Sequence, residues 1–567
     1  MEPPYPAHRA RGGALIGALV LAVVAAAWPA SPGVWLSPEE RAAVAAGAAL
    51  IGALTGPLGV AGGRWGAALA GPALAAGLAL LPRVGRSWER VPPASIGVVV
   101  AVWALGLWAL RGRGRPVALL VGAAVVLLAG VRAAGDPVRG NAAPGADLVV
   151  ITLDTTRADH LGAAGGPVPT PALDAFRAGS RWFSAAFSPA VLTGPAHAAL
   201  LSGQEPAAAG LRVNGVALDA GLPWVPAELA AAGFQTGAFV SAAVLDARLG
   251  FSRGFSAFDA PSASRWVAGH GLLRVVGLRH RSGSAFARPG AETVARALRW
   301  WRLAEGRRRF LWVHLYEPHW PYAPSPAAAA RAGLTDGRPL GAPVALRGRP
   351  WTPAERARGR ALYAAEITEL DGLVGAVLAA VGPGAAVVVA GDHGESLGEN
   401  GIDFGHGSDA GAAEAWVPLG VRAPGLPPAV VSAPVSIRSV ADTLRGWAGL
   451  PAGGPGLASV DAPGGAVWTS AFAGEGPGAR VRAVARREGD RALIWREDGP
   501  SGAADRSVDP LELSLAPADL RALDAIRAAG ADAVPSAVDP ALRPALEALG
   551  YLEPSSAADS PPSSSYK

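Results

Sequence analysis

Five stretches without a single Asp, Glu, Lys or Arg follow one another at 13–38, 42–63, 65–82, 91–110 and 116–131. An α-helix rises about 1.5 Å per residue, so roughly 20 apolar residues cross a hydrocarbon core of about 30 Å. The pattern predicts an all-α bundle of about five transmembrane helices over 13–135, after a cytoplasmic N-terminus at 1–12. The last run reaches full length if it continues to Ala134 with Arg132 snorkelling to the interface. Trp28, Trp35, Trp65, Trp88, Trp103 and Trp108 fall mostly near run ends, where aromatic belts sit. A cleaved signal peptide does not account for the pattern, since four more runs follow the first. Five runs in succession also argue against buried helices of a globular core. With the N-terminus inside, Arg9, Arg11, Arg64 and the Arg111/Arg113/Arg115 cluster lie on the cytoplasmic side. Arg41, Arg83, Arg86 and Arg90 oppose them, so the positive-inside rule supports this orientation modestly. An odd helix count puts everything after about residue 135 outside the cytoplasm. The chain is thus expected in a cell membrane as a multi-pass protein, with the lipid bilayer as a partner.

The chain has 567 residues and no Cys, which excludes disulfides, thiolate metal sites, Fe–S clusters and a Cys nucleophile. Half of it is hydrophobic and 17% is charged, which excludes a mainly disordered chain. The net charge is only +5, and nearly all of the basic residues are Arg. No nucleic-acid partner follows from it.

A polar linker at 136–146 opens the second half. Asp147–Leu153, Phe310–Leu315 and Ala385–Ala390 read as buried strands. Pro171–Gly179, Pro223–Ala232 and Pro353–Val381 read as helices between and around them. Such alternation predicts an α/β domain with a mostly parallel sheet over 147–465. Shorter, more polar strands from about 466 predict a small antiparallel C-terminal subdomain over 466–553. A low-complexity tail occupies 554–567.

The chemistry sits where strands stop. The first runs into Asp154, and the Ala385–Ala390 strand runs through Gly391 into Asp392 and His393. Ligands of open α/β sheets gather at the carboxyl ends of strands. Two carboxylates and an imidazole there form a candidate cage for a divalent ion: Mg²⁺, Ca²⁺ or Mn²⁺ from the carboxylates, Zn²⁺ if His contributes. The commoner role of one Asp at a strand end is a helix N-cap. Thr193 precedes Pro195, which fits the first turn of a helix. The free N–H groups of a helix start attract an anion, so Thr193 is either a simple cap or a hydroxyl nucleophile at a phosphoryl or sulfuryl centre. His197 follows by four residues, on the same helical face. His314 lies within a strand and reads as a satisfied core histidine. His319, in a Pro-bounded loop, and His406, 14 residues after Asp392 in a Gly-rich loop, are each placed to donate a proton, touch a substrate or ligate a second metal.

In order, LDTTRADHLG, TPALDAF, SPAVLTGPAHAALLSG, GFSRGFSAFD, HLYEPHWPY, GDHGESLGENG, FGHG, VPLGVRAPG and LGYLE resemble the sulfatase family of the alkaline phosphatase superfamily, over about 147–553. The membrane half joined to such a domain is similar to lipoteichoic acid synthases and phosphoethanolamine transferases. The resemblance implies an alkaline phosphatase/sulfatase-like fold and a divalent metal held by Asp154, Thr193, Asp392 and His393. It implies Thr193 as nucleophile, and His319 and His406 at substrate-contacting or proton-donating positions. His197 takes the place of the Arg in the usual C/S-x-P-x-R signature, which implies a catalytic part for it in stabilising the nucleophile or its adduct. Two departures matter. Threonine cannot yield the formylglycine of typical sulfatases, and the Lys-x-His contact pair is missing near Gly237–Val244. The expected activity is therefore hydrolysis or transfer on a phosphate or sulfate ester, most readily phosphoryl chemistry on an envelope lipid or glycan. Sulfate-ester cleavage without formylglycine, and a catalytically silent envelope protein, are the alternatives.

Overall fold

The computed structural model describes residues 145–261, 287–340, 350–454, 456–459, 466–473, 479–489, 491–496 and 502–503. These fall in one compact unit, residues 142–263 and 282–567. The expected transmembrane segments at 13–135, the N-terminus, most of the linker, and the chain from 504 onward, with its LGYLE motif and tail, lie outside the described residues. Among the described residues no helix is long and apolar enough to cross a membrane.

The core is an eight-stranded sheet. In chain order its strands are β1 (Leu148–Leu153), β2 (Arg181–Phe183), β3 (Gln235–Val240), β4 (Ala257–Asp259), β5 (Arg309–Leu315), β6 (Ala386–Gly391), β7 (Leu419–Arg422) and β8 (Ala429–Val431). Their spatial order is β8-β2-β7-β6-β1-β5-β3-β4. Every pairing is parallel except the two made by β7. β1 is central because all six of its side chains are buried, which requires cover on both faces. The sequence-predicted strands and the helices around them form as expected. The helix Pro353–Val381 matches its predicted limits, opened by a capping box between Thr352 and Glu355. The helix Thr193–Ser202 is buried at all ten positions, so it runs through the interior rather than over the surface. Val467–Ala473, Arg480–Glu488, Arg491–Arg496 and Gly502–Ala503 form a separate antiparallel sheet, in the region expected for the C-terminal subdomain.

Three neighbouring strands set the site in register. Thr152 of β1 pairs with His314 of β5 and with Ala390 of β6. Beyond the strand ends, the Asp154 N–H donates to Leu315 O at 3.0 Å and the Asp392 N–H to Leu153 O at 3.1 Å. The two aspartates therefore leave the same edge of the sheet side by side.

Candidate active site

Asp154, Thr193, Asp392 and His393 come together, all fully buried. Thr193 is the first residue of its helix. Its Oγ1 lies 3.5 Å from Asp154 Oδ1 and 3.2 Å from His393 Nε2. His393 Nε2 is 3.6 Å from Asp154 Oδ1 and 3.7 Å from Asp392 Oδ2. His393 Nδ1 faces the Gly394 carbonyl at 2.9 Å. A carbonyl only accepts, so Nδ1 carries the proton and Nε2 presents its lone pair to the carboxylates. Asp392 Oδ1 accepts the N–H groups of His393 and Thr155 at 2.6 and 3.2 Å. That turns Oδ2 inward.

This donor set fits a divalent cation. One ligand atom from each of Asp154, Asp392 and His393 lies within 4.8 Å of the others. Asp154 Oδ2 and Asp392 Oδ2 are buried with no hydrogen-bond partner among the described residues. Lone pairs facing one another in a dry pocket are costly unless a positive charge joins them. Burial pushes the Asp154 carboxyl above the usual carboxylate range, and burial with the neighbouring Asp154 does the same to Asp392. A bound cation reverses that cost.

The remaining imidazoles separate into two groups. His197 and His314 lie beneath the carboxylates. His197 Nδ1 donates to Thr193 O at 2.8 Å, and its Nε2 lies 2.9 Å from Thr152 Oγ1. Its ring thus braces the backbone of Thr193 rather than facing Oγ1, and Nδ1 stands 3.6 Å from Asp392 Oδ2. Trp312 Nε1 donates to the same Thr152 hydroxyl at 3.0 Å. His314, expected as a satisfied core histidine, is buried but not satisfied. Among the described residues its Nε2 has no hydrogen-bond partner, and it stands 3.4 Å from Asp154 Oδ2. Burial depresses the pKa of both rings, that of His314 to about 3, so both are neutral.

His319 and His406 form the second group, reached from His393 through the His406 ring. The His406 ring is 4.4 Å from that of His393 and 5.0 Å from that of His319. His319 Nδ1 donates to Trp320 O at 2.5 Å, and its ring stacks on Tyr316 at 4.2 Å. Burial holds His319 and His393 well below the usual imidazole range. Each sequence-predicted site residue is therefore in one cluster.

Sequence reasoning missed two neighbours. Asn214 is 2% exposed. Its Oδ1 accepts the Gly194 N–H at 2.8 Å, while its Nδ2 is buried without a partner among the described residues. Glu395 is fully buried beside His406. Asn214 stands in an irregular stretch with no motif around it. Glu395 stands inside GDHGESLGENG, where the neighbouring ligands drew the reading.

The sulfatase family model matches residues 146–450 of the 567, more than half of the chain. The chain belongs to the sulfatase family. Hydrolysis of sulfate or phosphate esters is the class of activity that goes with this family, and its members typically depend on a divalent metal. No curated protein matches the chain. Among solved structures, it is similar to phosphonate monoester hydrolase SpPMH from Silicibacter pomeroyi, at 20% identity and TM-score 0.51, covering 71% of this chain and 94% of that one. It is also similar to Ps i-CgsB in complex with k-i-k-neocarrahexaose, at 15% identity and TM-score 0.53, covering 72% and 98%. A third is BT4656 in complex with its substrate D-glucosamine-2-N,6-O-disulfate, at 14% identity and TM-score 0.50, covering 64% and 91%. These likenesses establish the shared mixed α/β fold of the alkaline phosphatase superfamily.

Proposed function

We propose that this sulfatase-family protein is a membrane-anchored enzyme that cleaves phosphate esters through a covalent Thr193 adduct, with sulfate esters as the less favoured substrates. The observation that carries the reading is the position of Thr193 Oγ1 between Asp154 Oδ1 and His393 Nε2, at 3.5 and 3.2 Å. Asp154, Asp392, His393 and the Thr193 oxygen would hold the divalent ion, whose Lewis acidity lowers the pKa of a hydroxyl and stabilises anionic oxygen.

Thr193 Oγ, whose hydroxyl proton has passed to solvent, attacks the phosphorus while the bond to the leaving oxygen breaks, and in the second half it leaves again as the same alkoxide. The Oγ–P bond formed replaces the P–O bond lost. The start of the Thr193 helix is the electropositive end of its dipole, suited to the oxygens of the group being transferred. Asn214 Nδ2, buried and without a partner among the described residues, is a second donor for those oxygens. Its amide is oriented because Oδ1 is committed to Gly194 N. His406 or His319 supplies the proton that the leaving oxygen takes up. In the second half an acceptor O–H, from water or from an envelope lipid or glycan, gives up its proton and attacks the phosphothreonine. That step releases Thr193.

The charge-free runs over 13–135 support a membrane anchor, with the catalytic unit outside the cytoplasm near lipid-borne substrates. Reporters fused after Gly112 and after Gly145 test this. An extracytoplasmic signal at the second and a cytoplasmic one at the first is expected, and the reverse refutes the topology. Thr193→Ala and Thr193→Ser test the nucleophile on aryl phosphodiesters and aryl sulfates. Loss of at least ~10³-fold in kcat with Ala and partial retention with Ser is expected. Wild-type rates from Thr193→Ala would eliminate the covalent route.

A further inference from the structure

The carboxylate of Glu395 is used by nothing in the reaction as written above, yet it is fully buried two residues past a metal-ligand candidate. Its Oε1 lies 3.2 Å from His406 Nδ1. Its Oε2 accepts a short hydrogen bond from the Tyr322 hydroxyl. Its backbone carbonyl accepts Arg157 Nη1 at 3.2 Å. The side chain is thus fixed at both oxygens and at the main chain. The His406 side chain is 5% exposed and borders the rings of His393 and His319.

A carboxylate facing an imidazole nitrogen only accepts, so Nδ1 of His406 is the nitrogen that bears hydrogen. Nε2 lies on the far edge of the ring from Glu395. A buried carboxylate behind an imidazole fixes its orientation and the nitrogen that keeps its hydrogen when the other gives a proton away. Tyr322 follows His319 in HLYEPHWPY after β5, and Glu395 lies in GDHGESLGENG after β6, 11 residues before His406, so their hydrogen bond also joins these two segments.

We propose that Glu395 is a positioning residue: it holds Nδ1–H of His406 so that Nε2 is the nitrogen that gives a proton to the leaving oxygen, and Tyr322 locks the carboxylate in place. This rests on the reading of His406 as the proton donor. In the step, the proton leaves Nε2 for the ester oxygen as the P–O bond breaks. Nδ1–H stays on the ring, held by the Glu395 carboxylate. His406 returns to the acid form by taking the proton of the acceptor hydroxyl in the second half.

The test uses the full-length protein in detergent, with Glu395→Gln and Tyr322→Phe. Two phosphodiesters are compared that differ only in the leaving group, 2,4-dinitrophenyl against phenyl. Dinitrophenolate leaves without a proton and phenolate needs one. Glu395→Gln is expected to lower kcat on the phenyl ester by about 10²-fold and on the dinitrophenyl ester by no more than a few fold. Tyr322→Phe is expected to show the same pattern, smaller. Equal losses on both esters would overturn the assignment. Independently, ¹⁵N-histidine spectra of the chelated wild type, followed upward in pH until the His406 ring is neutral and assigned through His406→Gln, should show the Nδ1–H tautomer of that neutral ring. An Nε2–H tautomer there would overturn it even if Glu395→Gln does not fold. If the wild type cleaves neither ester, the Thr193 chemistry fails, while the spectra still decide the Glu395–His406 pairing.

Discussion

Replacing Asp392 by Asn should stabilise the protein in chelator and abolish its response to divalent ions. Asp392 Oδ1 accepts two backbone N–H groups, which an Asn carbonyl keeps. Oδ2, the atom without a partner, becomes an NH₂ that donates into the cage. Ligand atoms of Asp154 and Asp392 lie within 4.8 Å of each other. At that distance and an effective dielectric of about 20, two full charges repel by about 3 kcal/mol. Sharing a proton reduces this, so a gain of about 1–2 kcal/mol is expected for Asp392→Asn in EDTA. The sign follows from linkage. Both carboxyls have raised pKa values when folded, so the chelated wild type loses stability as pH rises above the ordinary carboxylate range. With Mg²⁺, Mn²⁺, Ca²⁺ or Zn²⁺ at about 100 times the dissociation constant, the wild type should gain about 2.7 kcal/mol, and the variant almost none. Thermal and urea unfolding with and without metal measure both effects. A variant less stable than wild type in EDTA, or one still stabilised fully by metal, would refute the reasoning.

Other perturbations probe the surroundings. A Cβ on Gly359 would lie 2.2 Å from Phe404 Cζ, and Phe404 sits at φ 60° two residues before His406. Gly359→Ala should therefore cost about 1–3 kcal/mol by overpacking and lower kcat by moving His406. Unchanged melting and kinetics would show that the loop gives way freely. Asn214→Ala should lower kcat by about 10²-fold and, by stranding the Gly194 N–H, cost about 1–3 kcal/mol of stability, and a purely KM effect would argue against an oxyanion contact. Burial raises the Glu414 carboxyl to about 8, against hydrogen bonds from Ser396, Ser408 and Asp409. The wild type should lose stability as pH rises from about 4.5 to 8, and Glu414→Gln should flatten that part of the profile. A profile identical in the two proteins would contradict the raised value.

The sheet was legible because its central strands are unbroken apolar runs that end abruptly in carboxylates: Leu153 into Asp154, and Gly391 into Asp392. Pro195 after Thr193 marked the start of a buried helix. The roles of the histidines were less legible. His314 alternates within its strand like any core residue, and only three-dimensional register places its Nε2 against Asp154. His197 shares a helical face with Thr193, yet its ring turns back to the Thr193 carbonyl and to Thr152. Asn214 is brought to Gly194 by an irregular segment, with no periodicity for a sequence reading to use. Glu395 was hidden in plain composition, since an acidic residue in a Gly-rich loop is ordinarily solvated.

The central claim is a phosphoryl group carried on Thr193. Full-length protein, loaded with metal, would be quenched in acid during turnover of an aryl phosphodiester and digested for mass spectrometry. The account predicts a phosphoryl-containing adduct on the peptide bearing Thr193, absent from Thr193→Ala and accumulating in a variant slowed in the second half-reaction. Active enzyme that shows no adduct on Thr193 under any quench time, or an adduct on another residue, would contradict it.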